Sequence, residues 1–435
     1  MSAVVLLTPT TSYRDADFIA AAERLGLQVG VELIIATDRC PVLAADFSEE
    51  ATGSVCIELR PPERAVAALV ELHRRRPFCA IVPVDDATTE VAAQAAAALG
   101  LVHNELAATL AARDKRGLRE HLERAGVPQP RYRVLPLEAP PAELLAAAAA
   151  VGFPCVLKPV ILSASQGVIR ADEAAGLLQA RARIAALLRR PAIRGKHGAA
   201  AQVLLCESFV PGPEVAVEGM LRDGELTVLA LFDKPDPLDG PFFEETIYVT
   251  PSRLPLAVQQ ELARTTAAAA LALGLRHGPV HAELRLGPAP VGPVVIEVAA
   301  RSIGGLCSRT LRFGTGRSLE ELILLHALGR PLAAADVHRE QAAAGVMMLP
   351  IPQAGVLRET HGLAQARAVP GVVEVTITAR PGEELVPLPE GAAYLGFLFA
   401  RGETPAAVEA VLRAAHRELR FVITRTLQTA APPTD

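Results

Sequence analysis

Apolar, strand-like runs alternate with amphipathic, helix-like runs from Ala3 to Leu101. "AVVLLTP" precedes "DADFIAAAERLG", "VELIIATD" precedes "PERAVAALVELHRRR", and "CAIVPVD" precedes "ATTEVAAQAAAALGL". Such alternation predicts parallel strands joined by crossover helices, an α/β doubly wound sheet. Ligands of such sheets bind at the carboxyl ends of the strands. Thr8, Thr10, Thr11, Ser12, Tyr13 and Asp85 are expected near that edge. No G-x-G-x-x-G follows the first strand, so a dinucleotide site has no support.

The pattern changes near residue 106. "AARDKRGLREHLERAGVPQPRYRVL" reads as one helix, a Gly-Val-Pro stop and a strand. "PCVLKPV" is a strand ending at Lys158, "ILSASQGVI" a loop of small residues, and "QVLLCESFV" a further strand. "PGPEVAVEGMLRDGELTVLALFDK" reads as a meander turning at Asp223-Gly224, and residues 255–274 as a helix. After "SLEELILLHALGRPL" the chain ends in an α+β tail containing the helix "TPAAVEAVLRAAHRELRF". At 435 residues the chain exceeds one ordinary core and should form two to four domains.

Composition narrows the function classes. Apolar residues make up 51%, the net charge is only -5, and no basic stripe or Lys/Arg run suggests nucleic acid as a partner. No apolar run is long enough to span a bilayer, and the N-terminus reads as a strand rather than a signal peptide. Cys40, Cys56, Cys79, Cys155, Cys206 and Cys307 are scattered without a C-x-x-C spacing. Buried free thiols in a reducing cytoplasm are the expectation. Alanine runs read as helix filler, and "TAAPPTD" as a disordered end.

The stretch "HAELRLGPAPVGPVVIEVAAR", His281 to Arg301, puts two acids into an apolar hairpin. In its first strand His281, Glu283 and Arg285 share one face, and Val280, Ala282, Leu284 and Leu286 the other. In the second, Val294, Ile296 and Val298 alternate with Val295, Glu297 and Ala299. Folded symmetrically about Pro290, the hairpin sets Glu283 opposite Glu297. Like charges facing across a strand pair are destabilising, so a positive group is expected there. Two readings are open: an ion-pair network through Arg285 or Arg301, or a divalent cation held by hard carboxylate oxygens. Lys158, beside Ser163-Ala-Ser-Gln-Gly167, has two readings, a structural strand-end lysine or part of a polyphosphate cradle without a Walker A motif.

Together these motifs resemble the ATP-grasp superfamily of carboxylate–amine ligases, over nearly the whole chain. The resemblance implies an N-terminal Rossmann-like preATP-grasp domain (1–105), two nucleotide-gripping subdomains (106–200 and 201–332) and a C-terminal α+β lid (333–435). It implies that Lys115 of "RDKRGLREHLERAG", and Lys158, Ser163, Ser165 and Gly167, contact ATP phosphates. In "LLCESFVPGPEVAVE", Glu207 and the backbone at Phe209 and Val210 would meet adenine, and Glu214 the ribose. Glu283 and Glu297 would ligate Mg²⁺ or Mn²⁺, and Arg301 would face transferred charge.

One position departs from the family pattern Glu-x-Asn-x-Arg: the asparagine is Ala299 here, so water would complete one metal shell. "EVAARSIGG" and "FFEETIYVTPS" look like the L-amino acid ligase and carnosine-synthase-like branch. In that branch Glu245, His281, Arg301, Gly304 and Gly305 would surround the substrates. The resemblance implies small-molecule carboxylate and amine substrates, an acyl phosphate intermediate and release of ADP and phosphate, and it leaves room for a homodimer. Two alternatives are a ligase for a non-amino-acid carboxylate and a non-catalytic nucleotide-binding relative.

Overall fold

A computed structural model describes residues 2–9, 12, 14–38, 54–287 and 292–425. Thr10, Thr11, Tyr13, Cys40, Pro290 and the "TAAPPTD" end lie outside the described residues. The chain divides into two compact units. One comprises Met1–Pro130, Val210–Asp233 and Pro251–Gln341; the other comprises Arg131–Phe209, Lys234–Thr250 and Ala342–Asp435.

In the first unit the expected α/β alternation forms a parallel sheet, in the order Ser54–Cys56, Val31–Thr37, Ser2–Thr8, Ala80–Pro83. Val5, Leu7, Ile34, Leu69 and Val91 form its core, because strand alternation and helix period both direct apolar side chains there. Strand Ser54–Cys56 was not expected: three residues are too few to show a period. Its last residue also corrects the cysteine reading. Cys56 is exposed at a strand end, outside the core that was to shelter it, and it is disulfide-bonded. Cys155, Cys206 and Cys307 are buried free thiols, as expected, whereas the free Cys79 is exposed.

The same unit contains four antiparallel strands, ordered Pro293–Ala299, Gly278–Leu286, Glu214–Arg222, Glu225–Lys234. Asp223 and Gly224 have φ of 54° and 90°, the left-handed pair that a two-residue hairpin turn needs. The helix expected across Asp114 is two helices, Leu106–Arg113 and Lys115–Ala125. Asp114 breaks them, since its carboxylate accepts from Arg116 N at 2.8 Å and Gly117 N at 3.4 Å as an N-cap. Leu118, Leu122, Leu262 and Leu273 from these helices and Leu256–Leu273 pack against Val280, Ala282, Leu284, Val295 and Val298.

The second acidic strand departs from its expected alternation. Leu284 pairs with Val295, but Glu283 pairs with Glu297, so Ile296 is passed over in a bulge. Val295 and Val298 therefore both reach the core, where simple alternation would have split them between the faces.

In the second unit, an antiparallel sheet runs in the order Tyr132–Pro136, Val203–Ser208, Cys155–Pro159, Ile169–Ala171. Helices Pro141–Val151 and Ala174–Leu188 bury Leu144, Ala148, Leu177 and Ile184 against it. The α+β tail is present as expected: Ala343–Leu349, Gly396–Gly402 and Val372–Ile377 are antiparallel neighbours, joined by the earlier strand Ile247–Thr250, with Val408 and Leu412 of helix Pro405–Glu418 in their core. No helix among the described residues is long and apolar enough to cross a membrane.

Candidate active site

In the first unit the candidate residues gather around the acidic hairpin. Glu283 and Glu297 are directly opposed across its strands, the register expected from the sequence. Lys115, first residue of its helix, brings Nζ to 3.9 Å from Glu297 Oε2. Glu214, on the neighbouring strand, has a carboxylate oxygen within 4.8 Å of one on Glu283, so a third acid joins the group. Glu214 also accepts from Arg285 Nε at 2.8 Å, and Arg285 Nη1 donates to Val210 O at 2.9 Å. Clustered carboxylates offer the hard oxygen donors that suit Mg²⁺ or Mn²⁺, which keep part of their water shell.

His281 lies between two acids: Nδ1 is 3.1 Å from Glu218 Oε2 and Nε2 is 3.6 Å from Glu283 Oε1. Burial alone would push its pKa down, but Glu218 and Glu283 outweigh this and hold it at about 9. Glu218 is fully buried and accepts from Ile303 N at 3.0 Å, fixing the segment before Gly304 and Gly305. Sequence reading missed Glu218, although Glu214 and Glu218 are four apart on one strand face. A Cβ at Gly304 would meet no atom within 4 Å, and Gly305 has φ of 62°, so this backbone is open and needs glycine at its second position.

Arg301 Nη2 donates to Asp86 at 2.7 Å and its Nη1 to Ser302 O at 2.9 Å. Asp86 was also missed; it opens helix Asp86–Leu99, at the carboxyl edge where ligands were expected. Its neighbour Asp85 hydrogen-bonds Ser12, and burial raises its pKa. Thr8 Oγ1 donates to Asp15 at 2.6 Å. Arg14, buried, ties this edge to the segment after Arg301 by donating to Val84 O at 3.1 Å and Ser302 Oγ at 2.8 Å.

Burial would raise the Asp86 pKa, but Arg301 holds it below the usual carboxylate range. A carboxylate whose pKa is lower folded than unfolded stabilises above the unfolded value, about 3.9, and stops doing so as pH falls through the folded one. Asp86→Asn should therefore lower the thermal midpoint at neutral pH by an amount equivalent to about 1 kcal/mol. The gap between parent and variant should close as pH drops below about 4. Midpoints measured across that range check it; a gap that stays constant contradicts it.

In the second unit, Lys158 Nζ is 2.7 Å from Glu207 Oε2, with both side chains almost fully buried. Leu162, just before the Ser163–Gly167 loop, and Ala164, Ser165 and Gly167 within it have left-handed backbone. Conformations of this kind, strained for non-glycine residues, build anion-binding concavities. Here Gln166 N donates to Ser163 O at 3.2 Å, Gly167 N to Pro389 O at 2.8 Å and Val168 N to Ser165 O at 3.1 Å. Gln166 Nε2 adds a bond to Glu390 O at 2.8 Å, so the loop is latched to the tail. Phe209 N donates to Pro154 O at 3.0 Å, and Arg170 lies 4.3 Å over its ring. Glu245 accepts from Lys234 Nζ at 2.6 Å. Lys234 was missed, although it ends an apolar strand just as Lys158 does.

Three family profiles match the chain: an ATP-grasp N-terminal domain over residues 19–102, an ATP-grasp domain over 151–310 and an L-amino acid ligase C-terminal domain 2 over 347–424. Carnosine synthase 1 of Gallus gallus is 35% identical over 49% of this chain and 23% of its own length. Alanine–anticapsin ligase of Bacillus subtilis is 27% identical over 61% of this chain and 57% of its own. These matches span less than two thirds of either relative. The crystal structure of an L-amino acid ligase from Bacillus licheniformis superposes with a TM-score of 0.80 at 26% identity, covering 98% of this chain and 99% of that one. Profiles and fold together place the chain in the ATP-grasp superfamily, with an L-amino acid ligase C-terminal domain.

Proposed function

We propose that this protein is an ADP-forming ligase that joins the carboxylate of one amino acid to the amine of another through an acyl phosphate. The observation that carries the reading is the direct opposition of Glu283 and Glu297, with Lys115 beside Glu297. Phosphoryl transfer mostly needs positioning and charge neutralisation. Bound Mg²⁺ would supply charge neutralisation at the ATP phosphates, held by Glu283 and Glu297 and, on proximity, Glu214. Lys115 and Lys158 would hold phosphate oxygens, together with the loop of Ser163, Ser165 and Gly167. Glu207 and the backbone at Phe209 and Val210 would recognise adenine. The proximity of Glu214 to Glu283 favours a metal-side role over the ribose.

One substrate carboxylate would attack the γ-phosphate, releasing ADP. The amine of the other substrate would then attack the acyl carbonyl, and phosphate would leave. Arg301, held in place by Asp86, would stabilise the oxyanion, and donors already fixed in position need no reorganisation to do so. His281 and Glu245 would face the amine, and the open backbone at Gly304 and Gly305 would meet the substrate.

Phosphate release should appear with ATP, Mg²⁺ and a mixed amino acid panel, and mass spectrometry should find products lighter than their parts by one water. Phosphate release only with other carboxylates would move the assignment to a different small-molecule ligase. Tight ATP binding without phosphate release under any substrate would favour the non-catalytic reading.

A further inference from the structure

Arg119 heads the largest fully buried side chains. A guanidinium out of water is costly unless its donors are well placed. Nη1 donates to Val295 O at 3.2 Å and Nη2 to Ile296 O at 2.7 Å. These two carbonyls belong to the bulge of the second acidic strand, where the ladder is locally disrupted. The surrounding chain is tied to the same point. Gln129 Nε2 donates to Arg119 O at 2.9 Å, and Val295 N donates to Pro128 O at 2.9 Å.

The bulge decides which way Glu297 points. If the ladder continued regularly from Leu284 and Val295, Ile296 would face Glu283, and Glu297 would pair with Ala282 on the core side. Passing over Ile296 turns Glu297 to the face of Glu283 instead. Arg119 also stands four residues after Lys115, on the same side of their helix. The lysine that approaches Glu297 and the guanidinium that grips the bulge are thus borne by one rigid helix.

We infer that Arg119 is a positioning residue: by pinning the bulge at Ile296 it keeps Glu297 opposite Glu283 and Lys115 beside it. The inference rests on the proposed metal–nucleotide role of that pair, and its test does not depend on product formation.

Arg119→Lys keeps the buried charge and can serve only part of the bulge; Arg119→Met removes it. Two quantities are read in parent and variants. One is the Mg²⁺ concentration that gives half of the ATP-dependent rise in thermal midpoint. The other is amide exchange across residues 293–299 without metal. The lysine variant should fold, need about 10- to 100-fold more Mg²⁺, as removal of a group supporting a metal ligand typically does, and exchange faster around Ile296. The methionine variant should go further in the same direction. If it does not fold, the lysine variant carries the test. A lysine variant with parental Mg²⁺ requirement and parental exchange overturns the inference. If Mg²⁺–ATP fails to stabilise even the parent, the proposed function fails instead. Exchange alone then decides the positioning role, with parental exchange in the lysine variant counting against it.

Discussion

Lys158→Met should abolish ATP binding and at the same time lower stability sharply. Lys158 and Glu207 form a 2.7 Å ion pair with side chains only 5% and 4% exposed. Removing one member of a buried pair strands the other charge, at a cost of about 3–5 kcal/mol. That cost says nothing about nucleotide binding, so the single variant cannot separate a phosphate-binding lysine from a core strut. The double variant Lys158→Met/Glu207→Gln does, read against Glu207→Gln alone, because Glu207 is itself an adenine-binding candidate. Without the stranded charge, its thermal midpoint should recover most of the loss, because buried pairs replaced together are often nearly neutral. ATP affinity, measured by calorimetry, should stay lost. A double variant that binds ATP like the parent would make the pair structural and remove Lys158 from the phosphate site.

Much of this architecture could be read before any coordinates. The parallel sheet followed from strand and helix periods that alternate cleanly between Ala3 and Leu101. The turn at Asp223-Gly224 followed from residues that tolerate left-handed backbone. Counting outward from Pro290 set Glu283 opposite Glu297, and that pairing is present, but it is reached through a bulge at Ile296 that the count did not contain.

Other features left weak or misleading signals. Ile296 is an apolar residue in an apolar run, so its extrusion into a bulge is silent in the sequence. Asp114 sits inside a continuous helical pattern and reads as a polar-face residue until its capping bonds are seen. Arg119 likewise reads as solvated, and only the carbonyls of Val295 and Ile296 show why it is buried. Asp86 and Arg301 are 215 positions apart, and no local pattern announces such a pair. The Ser163–Gly167 loop showed its composition but not its latch, since Pro389 and Glu390 lie in the remote tail. Glu218 and Lys234 are different: strand alternation and the repeated strand-end lysine were both visible.

The central claim is that the acids of the hairpin are opposed because a cation belongs with them. In the free protein Glu297 has Lys115 at 3.9 Å, but its side chain is 33% exposed, so that contact contributes at most about 1 kcal/mol. Repulsion from Glu283 across the strands acts in the opposite sense at a similar size, about 0.2–1 kcal/mol. Glu297→Gln should therefore leave the thermal midpoint of the free protein unchanged or slightly raised. With Mg²⁺ and ATP the parent gains binding-linked stability, whereas the variant, lacking a metal ligand, should gain little. The decisive measurement is the thermal midpoint of parent and Glu297→Gln, each with and without Mg²⁺–ATP. The account predicts a large ligand-induced rise in the parent and almost none in the variant. A variant that is destabilised on its own, yet raised by Mg²⁺–ATP as much as the parent, would contradict it and make the hairpin acids an ion-pair network.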